Sequence, residues 1–540
     1  MRITDIHIKN YRAFYGEHHI CLDKDGKNLM VYGENGSGKS SLFTALQDFL
    51  KSSVGKIDVE ENIFVPASQK NTASIKVDIK ESPETSKTTS FELKITDKEI
   101  ISADKTLIAD ANKIKGFFDY RSLLRTHLGH KDRVDLFELL IGKIEYSFGG
   151  ILISIEPGIL QNSINEFSTR EFGREWFAIY KDTFTRRQDK KQKEATKNYL
   201  STKFNPGLKK LLKDIEQDTN TFMRYFGANV KISLDFDKVE YQGRRKLSGN
   251  NINLKINFFE KSIPKHQLFL NEARLSALAI SLYLASIRVN PLTGALKVLV
   301  LDDLLIGLDM SNRLPLLDIL KKHFIEVDKD KQFQVIMTTY DKVWYELVRN
   351  YFVAEKWKYT EIYTKSLRDD DFEIPVIFNE NGYLERAKHY LTEKDYKASA
   401  VYLRTEFERI VKTICDKQKI PVCYHKNQKE TTSEDFWTAI VSQTDLDPAL
   451  IHEITIHRGV VMNPFSHYDL EKPEFEAELK ATITAVEKLK AIDPKSLKKI
   501  TIEQLKKEII GLKKEPADLK IKLQEKEDLV RELGRKLKAK

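Results

Sequence analysis

The stretch GENGSGKSS, residues 33–41, constrains the fold more than any other part of the sequence. It fits the spacing G-x-x-x-x-G-K-S, follows an apolar segment (28–32) typical of a strand, and precedes SSLFTALQDFL (40–50), which is typical of a helix. Glycines in such a loop let backbone N–H groups wrap a phosphate, and the helix N-terminus adds positive potential. A glycine-rich turn capped by serine is the simpler alternative. The strand–loop–helix context favours a phosphate-binding loop in an α/β sheet.

This loop predicts a nucleotide site with ATP and Mg²⁺ as cofactors. We expect Lys39 to reach the β- and γ-phosphates and the Ser40 hydroxyl to bind Mg²⁺. The residues expected to contact the nucleotide are Gly33, Asn35, Gly36, Ser37, Gly38, Lys39, Ser40 and Ser41. Such a site also requires an acidic residue opposite the loop, at the end of a neighbouring apolar strand.

The segment VLVLDD (298–303) supplies that acid. Two adjacent carboxylates at the end of a buried strand repel each other, and a cation opposite them explains their position. We therefore expect Asp302 to bind Mg²⁺ together with Ser40. Asp303 is the candidate catalytic residue that polarises the attacking water.

Hydrophobic periodicity predicts a mainly parallel α/β sheet, an antiparallel lobe and a separate helical region. The predicted strands are 2–9, 28–32, 229–258 and 334–339, the lobe covers 74–108, and helical spacing is found at 117–144, 176–225, 267–289, 382–418 and 474–492. The predicted domains are 1–175 and 226–370 (the two halves of one head), 176–225 (a short helical insertion), 375–493 (a helical partner-binding domain) and 494–540 (a basic, coiled-coil-like tail).

Charge and composition narrow the class of protein. Of the net charge of +9, residues 495–540 carry +7 (15 basic against 8 acidic side chains), so the remainder is close to neutral and does not indicate a basic nucleic-acid-binding body. Heptad spacing in the same tail predicts a partner helix or a solvated helix on its own domain. The three scattered cysteines, the lack of a long apolar run and the lack of a signal peptide predict a cytoplasmic protein without membrane contact.

The order of these motifs resembles the SMC/RecF/ABC-type ATPases: NYRAFYG, YGENGSGKSS, the hydrophobic strand ending in two aspartates, and GLD soon after it. The resemblance implies an ABC/SMC-type head that pairs with a second head, as a homodimer or higher oligomer, around two nucleotides. It also implies that a signature helix completes the partner's site. By this alignment Asn271 and Ala273 replace the family's serine and second glycine, and Asp309 is the D-loop aspartate.

Two departures from that family concern catalysis. Asp303 stands where the family usually has glutamate, and Tyr340 in IMTTYD replaces the switch histidine that touches the γ-phosphate. A carboxylate one methylene shorter is drawn back from the attacking water, and such misplacement costs ~100-fold in rate. We therefore expect slow hydrolysis, suited to a switch or clamp.

A closer resemblance is to the PtuA family, the ATPases of Septu antiphage systems, carried by LDDLLIGLDMSNRLPLLDIL, TTYDKVWYEL and YRSLLRTH. It implies control of a separately encoded HNH nuclease (PtuB-like). Where such systems are attached to a retron, it also implies contact with the reverse transcriptase and its reverse-transcribed DNA.

Two other functions remain open. One is a RecF-like DNA repair ATPase without a nuclease partner. The other is an ATPase with its own HEPN-type ribonuclease, for which Arg458, Asn463 and His467 are the candidate residues, although eight residues separate the arginine from the histidine. A Toprim nuclease is disfavoured because SLRDDDFEIP (366–375) is followed by helices.

Overall fold

A computed structural model describes the chain apart from residues 82–86, 103, 115, 120–134, 147–151, 161–170, 186–188, 228, 244–245, 290–295, 305–309, 367–371, 380–381, 423–431, 463–475, 500–525 and 532–540. It divides into two compact units, Met1–Glu380 and Asn381–Lys540. The first unit contains every strand named below, and the second is helical.

The strands, in chain order, are β1 (Arg2–Tyr11), β2 (Phe14–Cys21), β3 (Asn28–Gly33), β4 (Ser74–Lys80), β5 (Thr88–Lys94), β6 (Phe117–Asp119), β7 (Gly142–Tyr146), β8 (Leu152–Pro157), β9 (Val230–Asp237), β10 (Glu240–Gly243), β11 (Lys246–Ser248), β12 (Asn251–Phe258), β13 (Lys261–Ile263), β14 (Val298–Asp302), β15 (Gln334–Thr339), β16 (Trp357–Ser366) and β17 (Glu373–Asn379).

The central sheet has six strands in the order β17-β16-β3-β15-β14-β6. Its strands run parallel except β17, which pairs antiparallel with β16. The strand that precedes the glycine-rich loop, β3, and the strand that ends in Asp302, β14, both flank β15, so their carboxyl ends meet at one edge of the sheet. Ligand sites in open α/β sheets lie at this edge.

A second, antiparallel sheet has the order β2-β1-β4-β5. Alternate side chains of β1 such as Ile6 and Ile8 are buried against the core, while the side chains between them face outward. This sheet confirms the predicted antiparallel lobe over 74–94 and adds β1 and β2 to it, whereas 105–108, also predicted as part of the lobe, begin a helix. Three smaller antiparallel sheets, β13-β12-β9, β10-β11 and β7-β8, complete the strands.

The helices of the first unit are α1 (Lys39–Lys51), α2 (Lys105–Lys113), α3 (Phe137–Leu140), α4 (Phe172–Thr185), α5 (Lys190–Tyr199), α6 (Asn205–Tyr225), α7 (His266–Phe269), α8 (Glu272–Val289), α9 (Met310–Leu320) and α10 (Lys342–Tyr351). Helix α1 buries Leu42, Leu46 and Phe49 in the core that also contains Val31 of β3. Burial of these side chains stabilises this placement of the helix by roughly 2 kcal/mol for each of them.

The prediction of helical spacing over 117–144 is wrong at both ends of that range. Phe117–Asp119 is a strand paired parallel with β14, and Gly142–Tyr146 is another strand, with only the short α3 between them among the described residues. Short apolar runs fit a buried strand as well as a helix, and pairing with a distant strand decides between them. Strands β16 and β17 were also not predicted.

The second unit contains α11 (Gly382–Thr392), α12 (Tyr396–Gln418), α13 (Ser433–Gln443), α14 (Pro448–His457) and α15 (Glu476–Lys490). The predicted run 382–418 breaks in two because Lys394 adopts a left-handed φ of 65°. The Asp395 side chain then accepts a hydrogen bond from the Ala398 backbone and caps α12. The unit has its own apolar core, which includes Leu403, Trp437 and Val486.

Of the tail (494–540), the structure describes 494–499 and 526–531, the latter as helix, so most of the predicted coiled-coil register lies outside the described residues. A search of the described helices for a span long and apolar enough to cross a membrane finds none.

Candidate nucleotide-binding site

The glycine-rich loop joins β3 to α1 in a conformation that requires glycine. Gly36 and Gly38 have φ values of 89° and 98°, which side chains with a Cβ rarely adopt. At Gly33 the restriction is spatial, because a Cβ there would lie 2.8 Å from the Ile362 carbonyl oxygen. The loop therefore keeps its backbone accessible to a close-approaching ligand, as a phosphate cradle requires.

Lys39 lies within this loop and is only 4% exposed. Its Nζ donates hydrogen bonds to the carbonyl oxygens of Gly33 (2.7 Å) and Glu34 (3.0 Å). Burial lowers the pKa of the ammonium group, and the nearby carboxylates of Asp303 and Asp302 oppose that effect. The lysine thus points into the loop, where phosphate oxygens can take over from the backbone carbonyls as acceptors.

Ser40 and Asp302 come from opposite sides of the site and meet directly. Ser40 Oγ donates a hydrogen bond to Asp302 Oδ2 at 3.1 Å, and the Thr338 hydroxyl donates to the other carboxylate oxygen. Asp302 is 5% exposed, and this burial raises its pKa although both hydroxyl groups favour the charged form. A serine hydroxyl and a carboxylate at this spacing are the oxygen ligands that Mg²⁺ prefers.

Hydrogen bonds of its backbone and of its carboxylate hold Asp303 beside Lys39. The Asp303 φ is 49°, its N–H donates to the Thr338 carbonyl oxygen at 3.2 Å, and its Oδ1 accepts from the Tyr340 N–H at 2.9 Å. Its Oδ2 lies 3.9 Å from Lys39 Nζ. Burial raises the pKa of Asp303 to about 6, against the effect of the Lys39 charge. A carboxylate with a pKa near the working pH suits a general base.

Tyr340 contacts the Asp303 carboxylate through its backbone N–H. Its side chain is 43% exposed just after β15, and its N–H is the donor to Asp303. The next residue, Asp341, caps α10 by accepting from the Trp344 N–H and pairs with Arg313 at 2.7 Å. The predicted contact of the Tyr340 side chain with a γ-phosphate stays a prediction.

Sequence reasoning missed Thr338 and Arg313. Thr338 is 3% exposed and stands directly opposite Asp302 in the parallel register of β14 and β15. The available signal was a polar residue at the end of an apolar strand, next to the strand that ends in Asp302. Arg313 carried no local signal, because its partner Asp341 is 28 residues away in the sequence.

The predicted signature residues stand at the start of α8. Asn271 is exposed, and its Oδ1 accepts a hydrogen bond from the Arg274 N–H at 3.1 Å, so it caps the helix. Ala273 is 7% exposed in the first turn. Leu268 and Phe269, which precede the buried Leu270 and the cap, are 81% and 59% exposed. Asp309, the predicted D-loop residue, lies outside the described residues.

The residues present fit Mg·ATP. Gly36 and Gly38 supply the open backbone, and the Ser40–Asp302 pair supplies oxygen ligands. Ser37 adds a buried hydroxyl oxygen for which the described residues offer no hydrogen-bond partner. Such a group is costly unless a ligand satisfies it.

Comparison with known proteins assigns the chain that carries this site to a family. The family model "RecF/RecN/SMC N terminal domain" matches residues 2–359. A crystal structure of the SmcHead bound to the C-winged helix domain of ScpA is similar over 71% of this chain and 99% of its own, at 11% identity and a TM-score of 0.38. The Smc head of Pyrococcus furiosus, bound to the C-terminal domain of ScpA, covers 73% and 99% at 12% identity and a TM-score of 0.39.

The SMC head domain of Thermotoga maritima is similar over 70% of this chain and 99% of its own, at 13% identity and a TM-score of 0.31. No curated protein matches the chain. The family match covers both the glycine-rich loop and the Asp302 strand, and therefore both sides of the site. The chain belongs to the RecF/RecN/SMC family of ABC-type ATPases.

Proposed function

We propose that this chain is the ATP-switched regulatory subunit of a cytoplasmic antiphage complex and that it controls a separately encoded HNH nuclease. The observation that carries the ATP-dependent part is the convergence of Lys39, Ser40, Asp302 and Asp303 at one sheet edge. The nuclease-control part rests on the resemblance to the PtuA family.

In the proposed reaction the chain's own groups bind and orient the nucleotide. Loop N–H groups and Lys39 would contact the β- and γ-phosphates, and Ser40 and Asp302 would hold Mg²⁺. The metal ion would neutralise negative charge on the phosphates. Asp303 orients the attacking water and accepts its proton. Because the Asp303 side chain is short and hydrogen bonds hold both its backbone N–H and its carboxylate, we expect slow turnover.

The proposed switch is the pairing of two heads. Asn271 would contact the partner's γ-phosphate from the first turn of α8, and the exposed Leu268 and Phe269 beside it would be covered in the dimer. Asp309 would communicate between the two sites. ATP would hold the pair together, and hydrolysis or loss of nucleotide would release it.

The proposed nuclease-binding element is the helical unit after residue 380. Its separate core supports a module that can serve as a docking domain. In a retron-attached system, the basic tail would contact the reverse transcriptase or its reverse-transcribed DNA.

The ribonuclease alternative is not supported by Arg458. This side chain is 6% exposed, pairs with Glu434 and lies over the Phe407 ring, with its guanidinium carbon 5.2 Å from the ring centroid. An arginine with these partners has a packing role. Asn463 and His467 lie outside the described residues.

The test is to express the tagged chain with its neighbouring genes and to identify what co-purifies with Mg·ATP. We expect an HNH-type protein in fixed ratio with the wild type. Lys39→Ala should lose ATP binding, and Asp303→Asn should keep ATP binding and accumulate as the paired form in light scattering. A lone dimer that binds DNA with steep salt dependence would replace this proposal with the repair function.

A further inference from the structure

A cluster of metal-ligand side chains lies on the outward face of the β2-β1-β4-β5 sheet. Asp5 and His7 alternate along β1, so both side chains point away from the buried Ile6. His19 on β2 is the direct cross-strand neighbour of His7, and Asp78 on β4 is the direct neighbour of Asp5. Antiparallel register therefore brings four potential ligands from three strands to one patch.

The donor atoms of this patch are close to each other. One ligand atom each from Asp5, His7 and His19 lies within 4.8 Å of the other two. His19 Nε2 is 2.8 Å from Asp5 Oδ1, and His7 Nε2 is 3.7 Å from Asp78 Oδ2. The donors of one tetrahedral zinc ion lie about 3.3 Å apart, given bonds of about 2.0 Å. Rotation of these side chains would bring the Asp5, His7 and His19 donors to that spacing, and Asp78 next to His7 can complete the set.

The two imidazole rings lie face to face, and because the lone pair of a ring nitrogen lies in the ring plane, one ring must turn before both can bind a single ion. They are stacked, with centroids 4.2 Å apart and planes 2° from parallel. Their side chains are 39% and 49% exposed, so an ion can reach them from solvent. Other polar neighbours of the patch are Cys21, the direct neighbour of Asp5 on β2, Lys76, 3.9 Å from Asp78, and Ser90, which donates to Asp78 at 2.5 Å.

We propose that Asp5, His7 and His19, with Asp78 as the fourth ligand, form a binding site for a divalent ion of the zinc class. Two imidazole nitrogens with two carboxylates favour Zn²⁺ over the all-oxygen preference of Mg²⁺. The site is separate from the nucleotide site, which uses the ends of β3, β14 and β15. Bound metal would tie β2, β1 and β4 together across the outer face of the sheet.

The experiment is calorimetric titration of Zn²⁺ into the full-length chain, in excess Mg²⁺ so that the Ser40–Asp302 position does not take up zinc. We expect one site per chain in the wild type and a loss of affinity of roughly tenfold or more in His19→Gln, which loses one of four ligands. His452→Gln, an exposed histidine on α14, is the matched control and should bind as the wild type does.

Asp5→Asn is the second variant, because it keeps the side-chain shape and weakens the charge of the site. Zinc should raise the melting temperature of the wild type and of His452→Gln but not of Asp5→Asn or His19→Gln. Both site variants should still bind Mg·ATP, which shows that they are folded. Equal zinc affinity in wild type and His19→Gln, or no zinc binding in the wild type, would overturn the proposal.

Discussion

At the scale of single residues, the metal-binding side of the nucleotide site depends on how Asp302 is held. This carboxylate is buried, and its two oxygens accept hydrogen bonds from Ser40 and Thr338. Ser40 is expected to turn toward the metal when Mg²⁺ binds, which leaves Thr338 as the fixed donor. A buried carboxylate that loses a hydrogen-bond partner costs about 1–3 kcal/mol.

Thr338→Val removes that donor without a change of side-chain shape. We expect the Mg²⁺ concentration needed for half-maximal ATPase activity to rise roughly tenfold, because an unsatisfied Asp302 is protonated more readily or turns away. Thr338→Ser keeps a hydroxyl group and is the control. If Thr338→Val and Thr338→Ser show the same Mg²⁺ dependence as the wild type, the threonine has no positioning role.

Asp303 is the predicted catalytic residue, and the resemblance implies that it stands in place of a glutamate. Its positive φ is tolerated by aspartate better than by longer side chains. Asp303→Glu extends the carboxylate toward the attacking water, and we expect the single-turnover rate of ATP hydrolysis to rise by roughly tenfold or more. Asp303→Asn serves as the inactive reference. A rate for Asp303→Glu at or below that of the wild type would show that the shorter carboxylate does not limit hydrolysis.

The sequence predicted Lys39, Ser40 and Asp302 because phosphate and metal chemistry imposes local spacing that one segment of chain reveals. Thr338 and Arg313 escaped that reasoning, since each matters only through a partner brought close by the fold. The same holds for the Asp5–His7–His19 cluster. Its members look like ordinary polar residues of exposed strands until the register of β1 and β2 is known.

At the scale of elements, the first turn of α8 links helix capping to the proposed dimer. Asn271→Ala removes the acceptor of the Arg274 N–H and should destabilise this turn by about 1 kcal/mol. We expect faster hydrogen exchange at the Arg274 and Leu275 amides and weaker ATP-dependent dimerisation. Asn271→Ser restores a capping side chain and should recover both. Unchanged exchange in Asn271→Ala would contradict the capping role.

Elements with a sustained hydrophobic pattern were predicted correctly, whereas a short strand that forms by pairing with a distant strand was not. Helix α8 and the strands β3, β14 and β15 lie where apolar spacing placed them, except that α8 is preceded by a separate short turn of helix, α7. By contrast, β6 has three residues, and it exists because Phe117–Asp119 pairs with Val300–Asp302. No local pattern in three residues can reveal a partner 183 positions away.

At the scale of the whole molecule, the helical unit has a buried ion-pair network of its own. Glu406 on α12 is 1% exposed and accepts two hydrogen bonds from Arg409, at 2.8 and 2.9 Å. Lys490 on α15 lies 3.0 Å from the same carboxylate. Burial alone would raise the pKa of Glu406, but the hydrogen bonds and charges of Arg409 and Lys490 outweigh it and the net pKa is lowered.

Glu406→Gln removes the charge that joins these two helices and should destabilise the unit by about 1–2 kcal/mol, because both basic partners are partly solvated. The buried thiol of Cys415, 4% exposed on α12, reports this unit alone. Its labelling by a dithiodipyridine reagent along a urea titration, read by peptide mass, gives the local unfolding midpoint. A lower midpoint is expected for Glu406→Gln and an unchanged one for Glu355→Gln in the first unit.

The same network sets a pH dependence whose sign follows from the lowered pKa of Glu406. A carboxyl group that is more acidic in the folded state stabilises that state above its unfolded pKa of about 4.5, and the stabilisation is lost as the pH falls through the folded pKa. The gap in urea midpoint between wild type and Glu406→Gln should therefore be full at neutral pH and shrink progressively below about pH 4.5. Because the amide side chain of the variant does not titrate, the narrowing must come from the wild type. A gap of constant size down to strongly acidic pH would mean that Glu406 contributes by shape and packing, and that the charges of Arg409 and Lys490 are satisfied by solvent.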